Sequence, residues 1–100
     1  MVSVPERNAA ARQIKDTLTE LESQQGIDHA TLKTAIEGFR KILKYNQENH
    51  LIQGEAIERV VKDIRSLELD VDSGRVDTAP TSEVADQLES LRFDLDWGDD

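Results

Sequence analysis

Leu32, Ala35, Ile36, Phe39, Ile42 and Leu43 recur at three- and four-residue intervals. At 3.6 residues per turn these six side chains form one stripe, whereas a strand would scatter them over both faces. The stretch is therefore predicted to be a helix over 29–46, with Asp28 as its N-cap. Such a stripe also demands a second apolar face to cover it. Ile57, Val60, Val61, Ile64 and Leu67 supply one of the same aliphatic kind, predicted as a helix over 55–66. The polar stretch 46–54 joins the two, and an antiparallel hairpin buries both faces. Gly38 interrupts the first stripe at a cost of about 1 kcal/mol against alanine. It reads equally well as a point of close helix approach and as an interior glycine of no consequence.

Two further helices follow from similar signals. Ser3-Val4-Pro5-Glu6 has the spacing of a capping box with proline in the first turn, and Ala11, Ile14, Leu18 and Leu21 share a face beyond it. This predicts a helix over 4–24 that stops at Gly26. Near the other end, Thr81 or Ser82 caps a short helix over 82–91 whose face is Val84, Leu88 and Leu91.

After Ser66 the period changes. Leu67, Leu69 and Val71 alternate with Glu68, Asp70 and Asp72; Ser73-Gly74 reads as a turn; Phe93, Leu95 and Trp97 alternate with Arg92, Asp94 and Asp96. Alternation is the signature of a strand, and two such stretches flanking a helix pair as a small sheet in an α+β reading. Aspartate is a poor strand former, however, and an isolated two-stranded sheet is marginal. The expected fold is accordingly mainly α: a single three- to four-helix domain over 1–91, a minor β element at most, and an acidic aromatic segment over 92–100. With 37% hydrophobic and only 4% aromatic residues, the core must be aliphatic.

Charge is distributed unevenly. Eleven acids and two arginines between Ser66 and Asp100 give that third a charge of −9, the formal net charge of the whole chain. Residues 1–28 and 29–65 carry −2 and +2 and cancel. An imbalance confined to one segment suggests a basic partner, while the net charge disfavours direct nucleic-acid or anionic-membrane binding. There is no cysteine, hence neither disulfide nor thiolate chemistry. No apolar run approaches the ~20 residues that span a bilayer, and the first residues lack the pattern of a secretory signal, so a cytoplasmic location is expected.

The candidate chemistry is sparse. Asp70-Val71-Asp72-Ser73-Gly74 resembles the opening of a calcium loop, but its glycine comes one place early and Thr81 stands where the bidentate glutamate belongs. Asp94, Asp96, Asp99 and Asp100 form a second carboxylate group at a chain end, where preorganisation for a metal is poor. His29 and His50, with no cysteine to join them, fall short of a transition-metal ligand set and are expected to be solvated. No serine lies in a nucleophile elbow and no glycine-rich phosphate loop is present, so neither an enzymatic activity nor a cofactor is expected.

The basic residues Lys33, Arg40, Lys41, Lys44, Arg59, Lys62 and Arg65 cluster on the two central helices. They read as a weak anion-binding surface, as ordinary i,i+4 pairs (Glu37–Lys41, Glu55–Arg59, Glu58–Lys62), or as an internal dock for the acidic third. The C-terminal segment carries the strongest functional expectation. Phe93, Leu95 and Trp97 would anchor in a partner's pocket, while Asp94, Asp96, Asp99 and Asp100 steer toward a basic surface. The competing expectation is that the three apolar residues close the domain's own core. A non-enzymatic protein-binding module (an adaptor, inhibitor or regulatory subunit) is the leading functional class. An acidic nucleic-acid mimic of the antitoxin type and a helical homodimer are the alternatives.

Overall fold

A computed structural model describes residues 1–23, 29–78 and 80–95. They form five helices: α1 (Val4–Glu22), α2 (His29–Glu48), α3 (Gly54–Asp72), the single turn α4 (Arg75–Thr78) and α5 (Thr81–Leu95). The fold is mainly α, and no strand occurs among the described residues.

Helix α1 begins as its sequence dictates. The Ser3 hydroxyl accepts the Glu6 amide hydrogen at 3.3 Å and donates to the Glu6 carboxylate at 3.1 Å, with Pro5 in the first turn. The Glu6 side chain thus closes on the capping hydroxyl, where a standard capping box would use the backbone amide. Gly26 and Asp28, the expected stop and N-cap, lie outside the described residues. Helix α2 ends in a Schellman motif: the Leu51 amide donates to the Asn46 carbonyl (2.8 Å) and the His50 amide to that of Gln47 (3.3 Å), with His50 left-handed at φ 56°.

The largest departure from expectation is α3, which runs through the alternating stretch to Asp72. Leu67 and Val71 are two apart in the alternation's count of apolar positions, but they are also four apart in sequence. Val60, Ile64, Leu67 and Val71 therefore continue one helical stripe without a break, and all four are buried. Leu69, the residue that only a strand would bury, is 62% exposed. The acids of this last stretch are paired with cations from neighbouring elements: Asp72 with Lys33 at 3.7 Å, Asp70 with Arg75 at 3.5 Å, and Glu68 with Arg40. The Ser73–Gly74 turn is real, and Gly74 takes φ 78°, a conformation in which a Cβ is strained. Phe93 and Leu95 likewise belong to α5, so the second alternating stretch is also helical as far as Leu95, and the expected boundary after residue 91 falls inside a helix.

Cross-helix contacts define the topology. Arg7 stacks on the Tyr45 ring (5.2 Å to its centroid) and the Val2 amide donates to Glu48 (3.0 Å), so α1 and α2 are antiparallel. The Lys33–Asp72 and Arg40–Glu68 pairs make α2 and α3 antiparallel, the hairpin anticipated from their stripes. Gln87 donates to Asp70 at 3.2 Å, which sets α5 against α3 in the same sense. Helix α5 also packs on α1, closing an up-down-up-down four-helix bundle with α2 and α5 across its diagonal. The core is aliphatic apart from Phe39, and Leu32, Ile36, Ile42, Ile64, Leu88 and Leu91 are all buried. Two residues of the expected α3 stripe depart from the core: Val61 is 40% exposed and Ile57 only partly buried. Gly38 is buried against α1, where a Cβ would meet the Ala10 carbonyl and the Ile14 methyl at 3.4 Å, ordinary contact distance. Helix α1 passes over it, but a methyl group would fit, so this contact does not require glycine.

Candidate partner-binding surface

Helix α5 divides its side chains by the helical period. Val84, Leu88, Leu91 and Leu95 face the core. Phe93 is turned about 200° from Leu95 around the helix and projects into solvent, 85% exposed. Asp86, Glu89 and Ser90 lie seven, four and three residues before it, on the same outward face, and all are exposed. The surface is thus one aromatic ring in acidic surroundings, on the outer side of a helix whose inner side is locked into the core.

The expected anchor set is divided by this geometry. Phe93 is presented to solvent, as a binding anchor must be. Leu95 is not: it is 2% exposed within the core, and its carbonyl accepts the Asn46 side-chain amide at 2.7 Å. Its expected role as an anchor is corrected, because on a helix residues 93 and 95 lie on nearly opposite sides. Asp94 is partly buried in the α3–α5 seam and raises the proton affinity of Asp63 across it. Asp96, Trp97, Asp99 and Asp100 lie outside the described residues.

Asp63 shows what that seam does to a carboxylate. Its pKa is raised, first by partial burial and then by the Asp94 charge, with Lys62 and Arg59 pulling the other way. Ser66, Gln87 and Ser90 line the same shallow depression.

The described part of the acidic third is also not a free tail. Of its eight described acids, six are engaged: Glu68 with Arg40, Asp70 and Glu83 with Arg75, Asp72 with Lys33, Asp77 with His29, and Glu89 with Arg92. Asp86 and Asp94 make no ion pair among the described residues. The idea of an internal dock for acidic groups on the basic helices is realised in part, but by α3 and α4. The i,i+4 pairs expected at Glu37–Lys41, Glu55–Arg59 and Glu58–Lys62 are absent from the described ion pairs; the cations that reach between elements are Lys33, Arg40 and Arg75. His29 is not simply solvated, since its Nε2 lies 2.8 Å from Asp77. Asp70 and Asp72 sit on a helix with their carboxylates committed to separate cations, so they do not form a calcium loop. Among the described residues no group of three or more His, Asp or Glu is placed to hold a metal ion, and no helix is long and apolar enough to cross a membrane.

The residue that sequence reasoning missed is Asn46, the buried amide that holds the last carbonyl of α5. Its position within the α2 stripe (three after Leu43, four after Ile42) was the available signal. No family model, curated protein or solved structure matches the chain.

Proposed function

We propose that this protein is a non-enzymatic protein-binding module, an adaptor, inhibitor or regulatory subunit, that presents Phe93 from the acidic outer face of α5 to an apolar pocket with a basic rim. One observation carries the reading: Phe93 is 85% exposed in a chain with four aromatic residues, on a helix whose other large apolar side chains are buried. An exposed ring costs solubility and gains nothing for the fold, while entering a pocket releases its ordered water and buries about 150–250 Å². Asp86 and Glu89 beside it favour a cationic rim and raise the encounter rate. Leu95 and Asn46 hold the helix that aims the ring, so they position the anchor without touching the partner.

The test is site-specific crosslinking in the native cell with a photoreactive phenylalanine analogue at position 93 and, as control, at the exposed Ser82. A discrete partner crosslinked from 93 and not from 82, with capture lost on Phe93→Ala, is the expected result. Equal labelling from both positions, or none from 93, overturns the proposal.

A further inference from the structure

The seam between α3 and α5 holds a shallow depression lined by Asp63 and Ser66 from one helix and Gln87 and Ser90 from the other. Every lining side chain offers an oxygen acceptor. Gln87 donates its amide hydrogen to Asp70 at 3.2 Å, which leaves its amide oxygen to accept. Asp94, the residue after Phe93, adds a second negative charge across the seam. Neither Asp63 nor Asp94 makes an ion pair among the described residues. Burial and Asp94 raise the proton affinity of Asp63 in spite of Lys62 and Arg59 on its own helix, so the seam carries more negative charge than its surroundings neutralise. Those two cations line a separate depression, with Glu55 and Glu58. Ser90 joins this seam to the face that presents Phe93: it lines the depression and stands one turn before Phe93 on the outward side of α5.

With Phe93 as the partner's anchor, a reading on which this inference rests, we propose that the same partner inserts an arginine side chain into the α3–α5 depression, its guanidinium held between Asp63 and Asp94. That arginine is the cation of the basic rim. A guanidinium carries five donors in a planar fork, enough to meet carboxylates from two helices and the serine and glutamine oxygens between them, whereas a lysine ammonium is a point charge with three. A metal ion fits less well, because no third carboxylate or imidazole is placed to complete its shell among the described residues. The field of a chain of charge −9 draws an arginine in, where it would repel a phosphate or a carboxylate.

The experiment is a titration of the full chain, labelled with nitrogen-15, with N-acetyl-arginine amide, followed by amide NMR shifts. Parallel titrations use the lysine analogue and the uncharged isostere N-acetyl-citrulline amide. The expected shifts saturate and are confined to the surroundings of Asp63, Ser66, Gln87 and Ser90, with lysine weaker and citrulline silent. Asp63→Asn should cost about fivefold or more in affinity, while Asp16→Asn, which removes the same charge from the exposed side of α1, should cost almost nothing. Unchanged amide shifts away from position 63 verify that the asparagine variant is folded. Shifts scattered over the acids of the whole chain, an equal response to citrulline or lysine, or losses equal in Asp63→Asn and Asp16→Asn would overturn the proposal. The titration needs no partner, so its failure is read separately from a failure to crosslink at position 93. Where that crosslink forms, Asp63→Asn should weaken it severalfold, and undiminished capture would overturn the assignment of the arginine to this partner.

Discussion

Asp63 sits half-buried in the seam between α3 and α5, with a carboxylate opposite it and two cations on its own helix. Its raised pKa means that the folded state holds this proton more tightly than the unfolded chain does. Above the folded pKa the ionised group opposes folding; as pH falls through that value the folded state takes up the proton first and the penalty is relieved. Below the unfolded value of about 3.9 both states are protonated and the contribution is constant. Asp63→Asn, which removes the charge and keeps the shape, should therefore raise the urea midpoint near pH 7. The advantage over wild type should shrink steadily on acidification. An asparagine variant no more stable than wild type at neutral pH would show that Lys62 and Arg59 outweigh burial and Asp94. The sequence places Asp63 on a helix of mixed charge; only the packing of α5 reveals which charge dominates.

At the level of elements, the central hairpin was legible because its apolar residues repeat at one period over a long stretch. Residues 67–72 were not, because four apart is a multiple of two: Leu67 and Val71 satisfy both a strand and a helix, and only Leu69 separates the readings. The tie is broken by length. A helix that already carries Val60 and Ile64 in phase buries Leu67 and Val71 by adding further turns, whereas a short acidic strand would have no stable partner. The cations that pair with the acids of those turns, Lys33, Arg40 and Arg75, lie elsewhere in the sequence, so no local rule could see them. The assignment is checked by alanine substitution. Leu67→Ala should cost about 2–5 kcal/mol, while Leu69→Ala should stay within about 0.5 kcal/mol, both measured by chemical denaturation. Comparable losses at the two positions would restore the alternating pattern.

For the whole molecule, the decisive question is where the folded unit ends. A charge count separates an acidic third from a neutral remainder and invites the view of a domain with an appendage. The bundle joins them. Helix α5 supplies one of its four walls, Leu95 is the last core residue among those described, and Asn46 of α2 spends its buried amide on the Leu95 carbonyl. Removing residues 92–100 takes away the Leu95 side chain, worth about 2–5 kcal/mol. It also strands the Asn46 amide, at a further cost of about 1–3 kcal/mol. Set against the 5–15 kcal/mol that holds a typical domain together, this is a large share, so a chain ending at Leu91 should melt far earlier than wild type and lose part of its helical signal. Phe93→Ala, which removes a comparably large side chain from the same stretch, should leave the melting temperature nearly unchanged. The contrast matters for function: a truncation that abolished partner binding would report unfolding as readily as a lost contact, and only the point substitution isolates the surface. A truncated chain with wild-type stability would mean that the bundle closes without its last turn, and residues 92–100 would then be free to act as a separate segment.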